Sequence, residues 1–252
     1  MSEWPLKSTL HRYVERLTAC VEVAPDELRG LLREEYKTRY RKFKQEAWPL
    51  LRPTERSQWG VVFTMQHYRL PTRLLDWTES FLCALFFAQQ HRDPGDAAAV
   101  WVLNSAALNG ISIGQGSLVA LDDKMVKATF DARGWHPGRV PPSELLPTIA
   151  VSPIFTNARM TAQRAAFTMS GDSFLPLEEQ FEGRLRAEGH LVKIELPSGS
   201  FDEIEDYLRM GGVRAFSYFP DLEGLALDHE RHVDATLRQT RKFLRKLGDE
   251  GP

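Results

Sequence analysis

Apolar positions recur every three to four residues through "ELRGLLREEYKTRYRKFKQEAW" (27–48), which is also rich in strong helix formers, so the segment predicts an amphipathic helix with Arg33, Lys37, Arg41 and Lys44 along one face. A second helix is predicted from Thr54, as N-cap, to His67. Pro71 disfavours helical backbone at Leu70 and predicts a break there. The run "ESFLCALFFAQQH" (79–91), capped by Thr78 or Ser80, is apolar all round and predicts a buried helix. After a "PGD" turn, "AAAVWVLN" (97–104) has no polar alternation and reads as a central strand, buried on both faces and packed under helix 79–91.

Residues 105–147 are irregular, with a clear loop at "GWHPGRVPPSELLP" (134–147). Strands are predicted at "TIAVSPI" (148–154), at "AAFTM" after a short helix or turn, and at "LVKIELP" (191–197). "FDEIEDYLRMGG" (201–212) reads as a helix ending in a glycine cap, and 233–248 as a terminal helix with basic residues toward its C-terminal end. With no repeats, low-complexity tracts or convincing linker, these elements predict one α+β domain, a mixed β-sheet flanked by helices.

Composition narrows the function classes. The chain of 252 residues is 42% hydrophobic and 26% charged, which suits a globular protein with ample core. Its 32 Lys and Arg nearly balance 34 Asp and Glu, so no global pull toward nucleic acid or anionic membrane is expected. Two cysteines without a CxxC spacing, no secretory leader and no long apolar span predict a cytoplasmic protein with no membrane partner. Phosphate-binding glycine loops, zinc-protease and serine-hydrolase motifs are all missing. His229 and His232 have a metal-like spacing but no third ligand, and "LDD" (121–123) and "DEIED" (202–206) read as solvated turn and helix surface, so no metal is expected.

The densest chemistry lies in "QHYRLPTRLLDWTES" (66–80). The Arg73–Asp76 spacing predicts a local ion pair covered by Trp77. It serves either as a clamp on the turn or as the mouth of an anion site lined by Gln66, His67 and Tyr68.

The same stretch, continued through Ala88, resembles the signature of the FRG domain, Q-H-Y-G-[LM]-P-T-R-L-L-D-W-T followed by an apolar helix. "EWPLKSTLHR" (3–12) is similar to the family's W-x-L-x-P-[ST]-L-x-R segment, "NARMTAQRAAFTM" (157–169) to R-x-x-x-Q-x-G-x-F, and "FPDLEGLA" (219–226) to F-P-D-L-[DE]-G. Four segments in order, spanning about residues 3 to 226, imply a single FRG-like domain over 1–252. The family's name-giving [FY]-R-G ordinarily lies just before the position of Trp4 and is missing from this chain, through a misplaced start or loss of the motif. Arg69 and Ala165 stand where the family has Gly, so the local turns are expected to differ.

The resemblance implies a bacterial protein of mobile or defence contexts. By fold-level analogy, the element order also resembles that of ADP-ribosyltransferases, which would make the protein an NAD-using toxin or defence effector. That reading puts Gln163, Thr78 and His67 at catalytic positions, and Gln66, Tyr68, Arg73, Asp76, Trp77, Arg159 and Asp221 on the ligand. The alternative is a module that binds a nucleotide or nucleic acid without catalysis, weakly supported by basic faces at 33–44 and 238–246. A third reading is a scaffold whose signature holds the turn.

Overall fold

The computed structural model describes residues 5–90, 92–120 and 145–249; Trp4, "LDD" and the predicted loop as far as residue 144 lie outside them. In chain order the described helices are α1 (Thr9–Thr18), α2 (Pro25–Ala47), α3 (Gln58–His67), α4 (Phe81–Gln90), α5 (Ser105–Ile113), α6 (Ala158–Ala162), α7 (Arg184–Ala187), α8 (Phe201–Met210), α9 (Ala215–Tyr218) and α10 (Leu222–Asp249). The strands are β1 (Leu74–Thr78), β2 (Ala98–Leu103), β3 (Val119–Ala120), β4 (Ile149–Ser152), β5 (Ala165–Met169) and β6 (Leu191–Leu196). The protein is therefore mixed α+β. Its chain divides into two compact units, one of Met1–Glu79, Ala99–Thr156 and Ala165–Glu195, the other of Ser80–Ala98, Asn157–Arg164 and Leu196–Pro252.

The first unit holds a four-stranded sheet in the order β1-β5-β4-β3. β5 pairs antiparallel with β1 (Leu74↔Met169, Thr78↔Ala165) and with β4 (Val151↔Phe167), while β3 runs parallel to β4. Helix α2 buries Leu32, Tyr36 and Tyr40, a stripe four residues apart, and leaves Arg41 in solvent. Helix α3 begins later than its periodicity predicts. Thr54 lies in a 3-10 turn, and the Ser57 hydroxyl is the cap, accepting from the Gly60 N–H at 3.0 Å. Gly60 packs so closely on that turn that a Cβ there would lie 2.6 Å from the Glu55 carbonyl oxygen.

The strands differ from expectation in two places. Leu74–Thr78, to which the sequence pattern assigns no element, is a strand, and its β-branched and aromatic residues pair along β5. Conversely, β2 is not central: it pairs with β6 in a two-stranded sheet, with Val100 buried but Val102 46% exposed. A short apolar run reports burial of part of the strand and cannot report how many neighbours flank it.

In the second unit the Ser80 hydroxyl caps α4 by accepting from the Cys83 N–H at 3.3 Å. Cys83, Leu85 and Phe86 of α4 are buried, whereas Phe81 and Phe87 remain partly in solvent, so the helix is not covered all round. Phe86 and Phe87 pack with Tyr218 and Phe219 at ring separations of 5.1–6.5 Å. Helix α10 starts at Leu222 rather than 233, because the Asp221 carboxylate accepts from the Gly224 N–H at 3.1 Å and caps it there. Gly224 is required at that place: a Cβ would meet the Phe219 carbonyl oxygen at 1.9 Å.

Candidate functional site

Helix α3 ends in a two-bond turn. The Arg69 N–H donates to the Gln66 carbonyl (2.9 Å) and the Leu70 N–H to the Met65 carbonyl (3.0 Å), the pairing of a Schellman cap with Arg69 at its left-handed position. Arg69 takes φ +60°, so the turn expected to change for want of glycine is kept, with an arginine in the strained conformation. At the other departure Ala165 lies within β5, and the positive φ falls on Arg164.

Thr72, fully buried, organises the passage from this turn into β1. Its hydroxyl donates to the Gln66 side-chain oxygen and accepts from the Leu74 N–H at 3.0 Å. Its backbone binds the start of α1, through Thr9 Oγ1 (3.1 Å) and the Leu10 N–H (3.0 Å). With its oxygen fixed, Gln66 can only present its amide NH2, which donates to Asp76 Oδ2 at 2.6 Å. Asp76 is exposed as a residue, yet desolvation of its carboxyl by the atoms packed around it raises the pKa above the ordinary value, with Gln66 acting to lower it. Beside it on the chain, His67 meets Tyr68 edge-on at 4.9 Å, and Tyr68 is 68% exposed.

Arg73 does not pair with Asp76. Successive side chains of a strand point to opposite faces, so residues three apart diverge. Arg73, 1% exposed, instead donates to Asp172 Oδ1 (3.0 and 3.1 Å) and to the Gly171 carbonyl (3.0 Å), with its guanidinium over the Tyr36 ring. Asp172 also accepts from Arg33 (2.6 Å) and the Leu146 N–H (3.1 Å). Burial would raise the Asp172 pKa, but Arg73 and Arg33 outweigh it and hold the carboxyl below its ordinary value. Gly171 makes this turn possible, since a Cβ there would sit 1.9 Å from the Leu146 carbonyl oxygen. Trp77, partly buried, does not cover an Arg73–Asp76 pair; its indole N–H donates to Thr168 Oγ1 at 3.1 Å. Thr78 pairs with Ala165 across the sheet.

The later segments meet each other within the second unit. Arg159 donates to Asp221 (2.7 Å) and Glu223 (2.6 Å) and lies over the Phe219 ring. Gln163 donates from its side-chain amide to the Tyr218 carbonyl at 3.1 Å. Gln66 and Arg73 thus belong to one unit, and Gln163 and Asp221 to the other. Sequence reasoning missed Asp172; the signal for it was the "SGD" turn directly after a strand.

Residues 1–97 match the family model described as the FRG domain. Residues 1–97 carry an FRG domain. The match takes in the opening segment and the 66–80 signature, whose residues are the ones tied together through Thr72. No curated protein and no solved structure matches the chain. Among the described residues no helix is long and apolar enough to cross a membrane, and no three His, Cys, Asp or Glu side chains group as metal ligands do.

Proposed function

We propose that this FRG domain binds a nucleotide on the face that presents Asp76, with NAD the first ligand to test. One observation carries the reading: a solvent-open carboxylate is held by Gln66, which is itself fixed by the buried Thr72 hydroxyl. A preorganised acceptor of this kind suits the vicinal hydroxyls of a ribose, and the exposed Tyr68 ring offers a stacking surface for a base. His67 lies against Tyr68.

Binding is better supported than turnover. Asp172 neutralises Arg73, and Asp221 and Glu223 neutralise Arg159, so neither guanidinium is left without an internal counter-charge. Gln163 holds the Tyr218 carbonyl. A transferase, and with it a toxin or defence role, would need an additional group to stabilise an oxocarbenium-like transition state.

Isothermal titration of NAD, adenosine and a short oligonucleotide into wild type and Asp76→Ala tests the reading. NAD and adenosine should bind wild type, with affinity reduced at least about tenfold in the variant, a loss of about 1.4 kcal/mol. Equal binding to both proteins, or binding of the oligonucleotide alone, would overturn it.

A further inference from the structure

An amphipathic helix ordinarily lays its apolar stripe on the core, and α10 does the reverse. The side that packs carries Gly224, Leu227, Asp228 and Arg231. Asp228 accepts from the Ala215 and Phe216 N–H groups at 2.6 and 3.2 Å, and the Arg231 guanidinium lies 4.6 Å from the centre of the Phe86 ring. The opposite side carries Leu222, Ala226, His229, Val233, Thr236 and Thr240, alternately four and three residues apart and all exposed. Leu225 and Leu237 flank this seam, and the large apolar residues along it, Leu222, Leu225, Val233 and Leu237, are 44–83% exposed.

A single exposed leucine is ordinary, but a line of them along one helix marks a contact surface. The four-three spacing is that of a helix-pair seam. The sequence keeps it at Phe243 and Leu247, so the 28 residues of α10 offer about four heptads over about 42 Å.

Charge selects the partner. In the sequence of α10, residues 222–235 hold four acidic residues and one basic one, whereas residues 236–249 hold five basic and one acidic. Even with Glu223 engaged by Arg159, the first half stays acidic. A second copy laid antiparallel brings each acidic half onto a basic half, and one laid parallel sets like charge on like.

We infer that α10 is the interface of an antiparallel homodimer, in which two copies pack this seam about a two-fold axis near Thr236. The axis falls at mid-helix because only there do the two helices overlap along their whole length with their charged halves opposed. The inference is independent of the nucleotide reading, since Gln66, Tyr68 and Asp76 belong to the other unit.

Sedimentation equilibrium of the whole chain, at up to about 100 µM, should show a monomer–dimer equilibrium that Leu237→Glu weakens at least about tenfold. Leu237 is half exposed, so the substitution charges the seam and should leave the circular dichroism spectrum unchanged. Orientation is read with a short bismaleimide in a Cys20→Ser background, where the remaining Cys83 is buried. Thr236→Cys should crosslink two copies, whereas Leu222→Cys should not, because its two sites would lie about 42 Å apart. A chain monomeric over this range, equal association of wild type and Leu237→Glu, a dimer without the Thr236→Cys product, or a Leu222→Cys product would each overturn the inference. So would a monomer that binds vesicles of anionic phospholipid, with the seam laid on the bilayer surface instead. Should Leu237→Glu fail to fold, the two crosslinking variants decide, because both positions are exposed.

Discussion

Arg73 and Asp172 leave water together on folding, and each is stable in the interior only because the other is there. Asp172→Ala strands two guanidinium groups and is expected to cost about 3–5 kcal/mol in urea denaturation; a loss below about 1 kcal/mol would refute the buried clamp. Arg69 invites the opposite change. Its left-handed backbone costs about 1 kcal/mol relative to glycine, so Arg69→Gly should raise the unfolding midpoint.

His11, 2% exposed, receives no proton in the folded protein until far into acid: burial first, then Arg73, lowers its pKa from 6.5 to about 3. The unfolded chain therefore takes up this proton first. The contribution is complete above pH 6.5 and is lost toward pH 3, at about 1.4 kcal/mol per unit. Asp172, with a lowered pKa, adds to acid sensitivity only below its ordinary 3.8, whereas Asp76, with a raised one, opposes the trend just above 3.8. His11→Leu should flatten the stability profile between pH 6.5 and about 5, and a slope unchanged from wild type would contradict the assignment.

At the scale of elements, glycine separates positions that a Cβ would break from positions that tolerate one. Gly171→Ala drives a methyl into the Leu146 carbonyl and should cost more than about 2 kcal/mol. Gly110→Ala, inside α5 with open space around it, should instead gain about 0.5–1 kcal/mol. Melting curves of the two variants check both signs.

Most regular elements were legible from local pattern. The α2 periodicity, the strands at 149–152, 165–169 and 191–196, and the α8 helix fall within a few residues of expectation. Boundaries failed where a cap decided them: Ser57 for α3 and Asp221 for α10. β1 was hidden because its five residues directly follow a proline turn, and the sheet partner that makes them a strand lies far along the chain.

At the scale of the whole molecule, the signature was legible as a place and not as a set of roles. Its residues are hydrogen-bonded, but not in the pairs that proximity along the chain suggests: Arg73 binds Asp172 and Asp76 accepts from Gln66. Arg73 reaches a carboxylate 99 residues away, and only the "SGD" turn after a strand points to Asp172 among the acids of the chain. That Gln66 grips Asp76 follows from the Thr72 hydroxyl, which only the folded turn brings to it.

The architecture assigns Arg73 to the scaffold, and the proposed ligand-binding face rests on Asp76. The most direct measurement is the melting temperature of wild type and Asp76→Asn with and without saturating NAD. Without ligand the two should melt within about 2 °C of each other, since an exposed carboxylate adds little to stability. With NAD, wild type should rise by several degrees and the variant should not. An equal rise in both proteins, or an unliganded variant as destabilised as Asp172→Ala, would place Asp76 in the scaffold and contradict the ligand-binding face.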